Sequence, residues 1–315
     1  MRIVFLGSPD FAVPSLRLLA QVHEVAAVVT QPDRPAGRGR RLQASPVRQA
    51  AASLSIPTLQ PTRVSEPVAT AAILAFAPEA IVVVAFGQIL RPPLLEAPPL
   101  GCLNVHASLL PRWRGASPIQ HAILAGDAET GVTIMRMDAG LDSGPILTQR
   151  AHPIRPEHTG GSLSAELSRL GAELLLETLP QYVEGELLPR PQPLEGVTMA
   201  PRLTRADGIL DPMRPAADLA RCVRAFDPWP GTRLVWPEGS LAILRAQAIQ
   251  GQTGVPGTII GRDPSPALAT TDGHLLLDQV KPPGGRAMTG AEYLAGHPAF
   301  RTVHIKPPAG ATELH

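Results

Sequence analysis

Cysteine is nearly absent: Cys102 and Cys222 are the only two in 315 residues, far apart and with no second thiol near either. That spacing offers neither a disulfide framework nor a thiolate metal site, and it suits a reducing compartment. Lysine is as scarce, with Lys281 and Lys306 alone among 28 basic residues; beside 36 prolines and many alanines, this reads as a GC-rich coding bias rather than a demand for guanidinium chemistry at each position. Long apolar runs are missing too. The opening MRIVFLGSPDF breaks at Gly7 and Asp10, far short of the roughly 20 apolar residues of a membrane span and too short for a signal-peptide core. A cytoplasmic protein with no membrane partner is expected. Net charge is only +1, which removes any general pull toward nucleic acid, so RNA binding has to be local. The nine histidines show no His-x-x-x-His spacing, and no metal is expected.

What is present is a 44% hydrophobic chain, enough for a substantial core. Arg2 to Leu6 ends at Gly7 and is followed by a helix start over Pro14 to Ala20, a strand-turn-helix opening. Val22 to Thr30 and Ala80 to Ala85 are Val-rich runs of buried-strand type, with a helix-compatible stretch from Val64 to Phe76 between them. Alternation of this kind predicts a parallel sheet in an α/β domain. The first turn lacks Gly-x-Gly-x-x-Gly, so the sheet is Rossmann-like without a dinucleotide fingerprint. Val132 to Met137 and Gly144 to Gln149 read as further strands, and the leucine stripe of Ser162 to Leu179 as a helix capped by Thr159 or Ser162. Residues 1–188 form one domain in this reading, a Pro-rich linker follows over 189–203, and a small β-barrel domain spans 204–306. Its strands fall at Thr232–Trp236, Leu241–Ala246, Gly257–Ile260, Leu268–Thr270 and Leu275–Val280, with one helix at Ala216–Phe226. Residues 307–315 form a tail.

Chemistry concentrates between Gly101 and Asp142. Asn104 and His106 lie two apart on an apparent strand and therefore on one face. A Ser108-Leu109-Leu110-Pro111 run follows, then Asp142 in a Gly-rich loop that also holds Asp138. An amide that donates to an oxygen, an imidazole that exchanges a proton near neutral pH and a carboxylate are what acyl transfer to an amine requires. A second feature is the basic stretch from Gln31 to Arg48, where Arg34, Arg38, Arg40, Arg41 and Arg48 meet one acid, Asp33, with Gly37 and Gly39 interleaved.

These residues resemble the formyltransferases that use 10-formyltetrahydrofolate, with their Asn-x-His on a strand, Ser-Leu-Leu-Pro after it and a downstream Asp-x-Gly. MRIVFLGSPDFAVPSL, QPDRPAGRGRRLQASPVRQAA and CVRAFDPWPGT extend the resemblance from Met1 to about Met288 and direct it to the branch whose acceptor is methionyl initiator tRNA. The resemblance implies Asn104, His106 and Asp142 as catalytic residues, since the family's acid precedes a small residue and Gly, which selects Asp142 over Asp138. It implies folate contact for Ser108, Leu109, Leu110 and Pro111, and for the pterin wall Phe86, Gly87, Gln88, Ile89 and Leu90. It assigns the basic stretch to tRNA, with Arg34, Arg38, Arg40 and Arg41 as contacts, and makes the C-terminal barrel OB-like. Trp229 is expected to pack between helix and barrel. A formyltransferase for an amino-sugar nucleotide and a 10-formyltetrahydrofolate hydrolase are the competing readings; neither explains the basic arm. A monomer is expected.

Overall fold

The computed structural model describes residues 1–36, 41–251, 254–261 and 264–308. The chain divides into two compact units: Met1–Pro118, Glu129–Pro153 and Ser164–Pro201 make the first, and Ile119–Ala128, Ile154–Leu163 and the chain from Arg202 onward make the second. Among the described residues no helix is long and apolar enough to cross a membrane.

The first unit opens with β1 (Arg2–Gly7), α1 (Val13–Val22), β2 (Glu24–Val29), β3 (Arg34–Ala36), β4 (Arg41–Gln43), α2 (Pro46–Ser53) and β5 (Thr58–Leu59). It continues with α3 (Pro67–Leu74), β6 (Ala80–Val84), α4 (Pro92–Glu96), β7 (Cys102–His106) and β8 (Arg114–Gly115). After α5 (Pro118–Ala125), which from Ile119 belongs to the second unit, come β9 (Glu129–Arg136), β10 (Ile146–Pro153), α6 (Gly160–Val183), which joins the first unit from Ser164, and β11 (Met199–Ala200). Prolines stand in the first turns of α1, α2, α3 and α4, where the lost N–H is not needed. Thr159 and Ser162 exchange N–H to hydroxyl hydrogen bonds of 2.9 and 3.2 Å at the start of α6. Of the leucine stripe on that helix, Leu163, Leu167, Leu174 and Leu175 are buried and Leu170 is half-buried.

Seven strands form the main sheet in the order β10-β9-β7-β6-β1-β2-β5. β5, β2, β1, β6 and β7 are parallel, and β9 and β10 add an antiparallel edge. A parallel sheet covered on both faces calls for continuous apolar runs, and every residue of β6 is buried. Val4, Leu6, Ala27, Val29, Ile73, Ile81 and Val83 build the core beside it; burying one such branched side chain contributes roughly 1.5–3 kcal/mol. From β1 the chain moves outward to β2 and β5, then returns to place β6 on the other flank of β1. The connections leaving β1 and β6 thus diverge at the carboxyl ends of the strands. In open α/β sheets this is where ligands bind.

In the second unit, β12 (Thr232–Trp236), β13 (Gly239–Ile249), β14 (Ile259–Gly261), β15 (Pro266–Ala269), β16 (His274–Lys281) and β17 (Met288–Thr289) form one antiparallel sheet. Its ladder runs β12-β13-β16-β15-β14 with β17 on β16. The expected barrel is not found closed: among the described residues no pairing joins β12 to β14. α7 (Ala216–Ala225) packs on β13 and β16. A helix that periodicity did not predict, α8 (Gly290–Gly296), follows β17. Seven residues are too few for a periodic stripe, yet Thr289 and Glu292 form a full capping box, with Thr289 Oγ1 accepting from Glu292 N at 3.1 Å and Glu292 Oε2 accepting from Thr289 N at 2.8 Å. Trp229, expected as packing, remains about half exposed at 49%.

Candidate active site

β7 lies between β6 and β9, pairing Asn104 with Val83 on one side and with Met135 on the other, and His106 with Thr133. The pleat turns Asn104 and His106 to one face, where they are 9% and 6% exposed. Asp142 reaches them from the β9–β10 connection. Its Oδ2 accepts from Gly115 N at 2.8 Å and stands 3.7 Å from His106 Nδ1; its Oδ1 lies 3.5 Å from Asn104 Nδ2. Asp138 is turned the other way: its carboxylate accepts from Gly140 N at 3.0 Å and from Ser143 Oγ at 2.9 Å, closing its own turn. The geometry therefore brings Asp142, not Asp138, to the histidine.

On its far side His106 Nε2 donates to the Trp113 carbonyl at 2.9 Å. A carbonyl only accepts, so Nε2 carries the proton in the neutral ring and Nδ1, facing Asp142, is the nitrogen left to exchange one. Asp142, Trp113 and Ala85 hold positive φ of 48°, 63° and 48°. Non-glycine residues in that region cost about 1–3 kcal/mol each and persist where surrounding structure imposes them, often at sites. Here Asp142 supplies the carboxylate, Trp113 the carbonyl that fixes the imidazole, and Ala85 the turn out of β6.

The Ser108–Pro111 turn is built into the fold. Ser108 Oγ donates to the Arg112 carbonyl at 2.6 Å, and Thr133 Oγ1 donates to the Ser108 carbonyl at 2.6 Å while accepting from Leu110 N at 3.1 Å. Gln149 Nε2 donates to the Leu110 carbonyl at 2.8 Å. Ser108 and Leu110 are buried, Leu109 and Pro111 half-buried, and the Leu110–Pro111 bond is cis. Phe86 and Leu90 belong to the core cluster. Gln88 is tied to the 61–64 loop, accepting from Val64 N at 2.6 Å. Of the proposed pterin wall, Gly87 with φ 80° and Ile89, which is 72% exposed, are thus the members turned outward; an apolar residue in a loop reads equally as core or as ligand wall in sequence.

Of the basic stretch, the residues flanking 37–40 are described. β3 and β4 pair antiparallel, with Arg34 opposite Gln43 and Ala36 opposite Arg41, and Arg48 sits in α2, ion-paired with Asp33. A hydrogen bond from Gln60 and the Arg48 guanidinium hold the Asp33 carboxyl below its usual range. Arg38 and Arg40 lie outside the described residues, as do the side chains of Arg34 and Arg41. Sequence reading missed Trp113, Gly115, Thr133, Gln149 and Gln192, because each acts through contacts distant in the chain. Cys102, on the same strand as the pair, is no nucleophile: burial pushes its thiol up to about 12 against the opposing pull of Arg136, so it stays protonated near neutral pH.

A parallel-rich sheet that gathers an amide, an imidazole and a carboxylate near the carboxyl end of β7 suits an acyl-transfer enzyme of the α/β class. Family models for formyl transferase and for the formyl transferase C-terminal domain match residues 1–179 and 202–298, and the chain belongs to the formyl transferase family. Relatives named methionyl-tRNA formyltransferase include those of Myxococcus xanthus, 48% identical over 94% of this chain and 95% of the relative, and Halorhodospira halophila, 50% identical over 94% and 96%. Among solved structures, methionyl-tRNA formyltransferase from Clostridium thermocellum superimposes with TM-score 0.55 at 16% identity, covering 80% of this chain and 95% of that one. An N-formyltransferase from Helicobacter canadensis, in complex with folinic acid and dTDP-3-aminofucose, gives 0.64 at 18%, covering 87% and 98%.

Proposed function

We propose that the chain transfers the formyl group of 10-formyltetrahydrofolate to the α-amino group of methionyl initiator tRNA, the reaction that readies the tRNA for translation initiation. The observation that carries this reading is the convergence of Asn104, His106 and Asp142 on one face beside the sheet's switch point, in a chain 47–50% identical to methionyl-tRNA formyltransferases over nearly its full length. The amine attacks the formyl carbon, the carbonyl oxygen becomes an oxyanion, and the bond from carbon to N10 breaks as the amine proton is passed on to N10. Asn104 Nδ2 donates to the oxyanion; its 3.5 Å contact with Asp142 is at the limit of a hydrogen bond, so the amide is free to turn. Asp142, 15% exposed against 6% for His106, is the more accessible acceptor for the amine proton. His106 Nδ1 receives that proton and returns it toward the leaving nitrogen. No covalent enzyme intermediate is involved, and the reaction as written uses no metal.

The residues present suit the folate. A flat, amide-edged ring pairs with main-chain groups and lies against apolar surface, and the turn after β6 offers the open backbone of Gly87 beside exposed Ile89, with exposed Leu141 next to Asp142. Ser108, Leu109, Leu110 and Pro111 supply further folate contacts in this reading, Leu109 and Pro111 from half-buried positions. Arg34, Arg38, Arg40 and Arg41 supply tRNA phosphate contacts, and the C-terminal sheet acts as an OB-like platform for the same tRNA. The enzyme works in this reading as a cytoplasmic monomer.

The test is formyl transfer from 10-formyltetrahydrofolate to methionyl initiator tRNA, with methionyl elongator tRNA, free methionine and an amino-sugar nucleotide in parallel. Transfer to the initiator alone is expected; transfer to the sugar nucleotide alone, or formate released without acceptor, refutes the proposal. A second expected outcome concerns Arg41→Ala, which raises KM for tRNA and lowers the slope of log affinity against log salt by about one contact with kcat little changed. An unchanged salt slope would remove Arg41 from the interface.

A further inference from the structure

We infer that Gln192 is a positioning residue that clamps the Asp142 loop, so that the Pro-rich stretch over 189–203 sets the catalytic geometry; this rests on the function proposed above. Gln192 Nε2 donates to both the Asp142 and Gly144 carbonyls, each at 2.8 Å. Its Oε1 accepts twice from Arg114, from Nε at 3.1 Å and Nη2 at 2.7 Å. Arg114 precedes Gly115, whose N–H holds the Asp142 carboxylate. The loop is thus gripped at its main chain by Gln192 and at its side chain by Gly115, and one arginine braces both grips.

A clamp here answers a physical need. Asp142 sits at φ 48°, a conformation that relaxes unless held, and a relaxed loop would take the carboxylate away from His106. The same stretch also fixes the other partner. Thr198 Oγ1 accepts from Trp113 N at 2.8 Å, the Thr198 carbonyl accepts from Arg114 N at 2.9 Å, and β11 pairs with β8. Trp113 in turn presents the carbonyl that fixes His106. Gly115 has to be glycine for this approach: at φ 121° a Cβ would fall 2.6 Å from the Ala200 carbonyl oxygen. Arg190 adds a pair of main-chain hydrogen bonds with Ile146, at 2.7 and 2.8 Å, at the start of β10. Gln192 hydrogen-bonds the Asp142 loop and Arg114, and not Asn104 or His106.

The experiment measures Gln192→Ala and Gln192→Glu in the full chain, each in wild-type and Asp142→Asn backgrounds, by steady-state formyl transfer to methionyl initiator tRNA. Displacing a reacting group by an ångström costs about 100-fold, so kcat of Gln192→Ala falls by that order while KM for folate and tRNA stays within about threefold. Gln192→Glu keeps the length and the Arg114 contact but has no N–H to give, and kcat falls comparably. In the Asp142→Asn background the further loss is under about twofold, the non-additivity expected of residues acting as one unit. Hydrogen exchange provides a readout apart from activity: the Gly115 amide exchanges about tenfold faster in Gln192→Ala, since its acceptor is no longer held. Unchanged kcat and unchanged Gly115 protection in a folded variant overturn the inference, as does an equal loss in both backgrounds. If the wild type formylates no acceptor, the proposed function fails by itself, and the Gly115 exchange still decides whether Gln192 clamps the loop.

Discussion

His106→Ala lowers kcat for formyl transfer by about 10²- to 10⁴-fold, the range by which a positioned proton-transfer group contributes, and leaves KM for 10-formyltetrahydrofolate within about threefold. The size follows from where the imidazole sits. It is buried on β7 with both nitrogens directed, Nε2 to the Trp113 carbonyl at 2.9 Å and Nδ1 to Asp142 at 3.7 Å, so its removal deletes the proton exchanger and one of the two neighbours, with Asn104, that face the carboxylate from the strand. In the proposed function folate is held by the turn after β6 and the Ser108–Pro111 turn rather than by His106, hence the expected split between kcat and KM. Freeing the Trp113 carbonyl costs about 1–3 kcal/mol of stability, which the melting temperature reports separately. Steady-state kinetics with a direct folate titration decide the matter. If folate affinity and kcat fall together by the same factor, His106 is part of the binding surface and its purely chemical role is wrong.

Legibility differed from element to element for physical reasons. The Val-rich runs at Val22–Thr30 and Ala80–Ala85 foretold β2 and β6 because a strand buried on both faces has no polar alternation to offer. Asn104 and His106 were legible because period-two geometry converts a spacing directly into a shared face. Asp142 was selected over Asp138 only by resemblance; the structure supplies a reason of its own in the turn that Asp138 closes on itself. In the stretch from Gln31 to Arg48 the one acid, Asp33, is taken up by Arg48 fifteen residues on, which leaves the count of four arginines over 34–41 as the sequence has it. Gln192 carried no signal at all. A glutamine among prolines looks like linker, and its partners at 142, 144 and 114 are set by tertiary structure that no local pattern encodes. For the barrel expected of the C-terminal half, short alternating segments predict strands, and they do predict β12 to β16, but closure depends on pairings between the first and last strands that sequence does not contain and that the described residues do not show.

Gly144→Ala is expected to lower kcat by about 100-fold and to destabilise the protein by about 3 kcal/mol, the upper part of the usual range for point substitutions. The added methyl would fall 1.9 Å from the Arg136 carbonyl oxygen, 3.0 Å from its carbon and 3.2 Å from Asp138 N. All three are main-chain atoms, so no side chain can swing aside; relief has to come from the backbone on one side or the other. Arg136 is the less able to move, because it ends β9, pairs with Leu103 of β7 and donates its N–H to the Pro145 carbonyl at 2.9 Å. The loop yields instead, by more than an ångström to restore ordinary contact, and it carries Asp142 two residues upstream together with the Gly144 carbonyl that Gln192 holds. The catalytic loss should therefore exceed what the stability change alone would cause at assay temperature. Gly296→Ala is the control: nothing lies within 4 Å of its added Cβ, and both activity and melting temperature should stay near wild type. Calorimetry and kinetics on the two variants test the argument, and a Gly144→Ala enzyme with wild-type kcat would mean that the Asp142 loop tolerates displacement and that the distances from Asp142 to Asn104 and His106 do not set the rate.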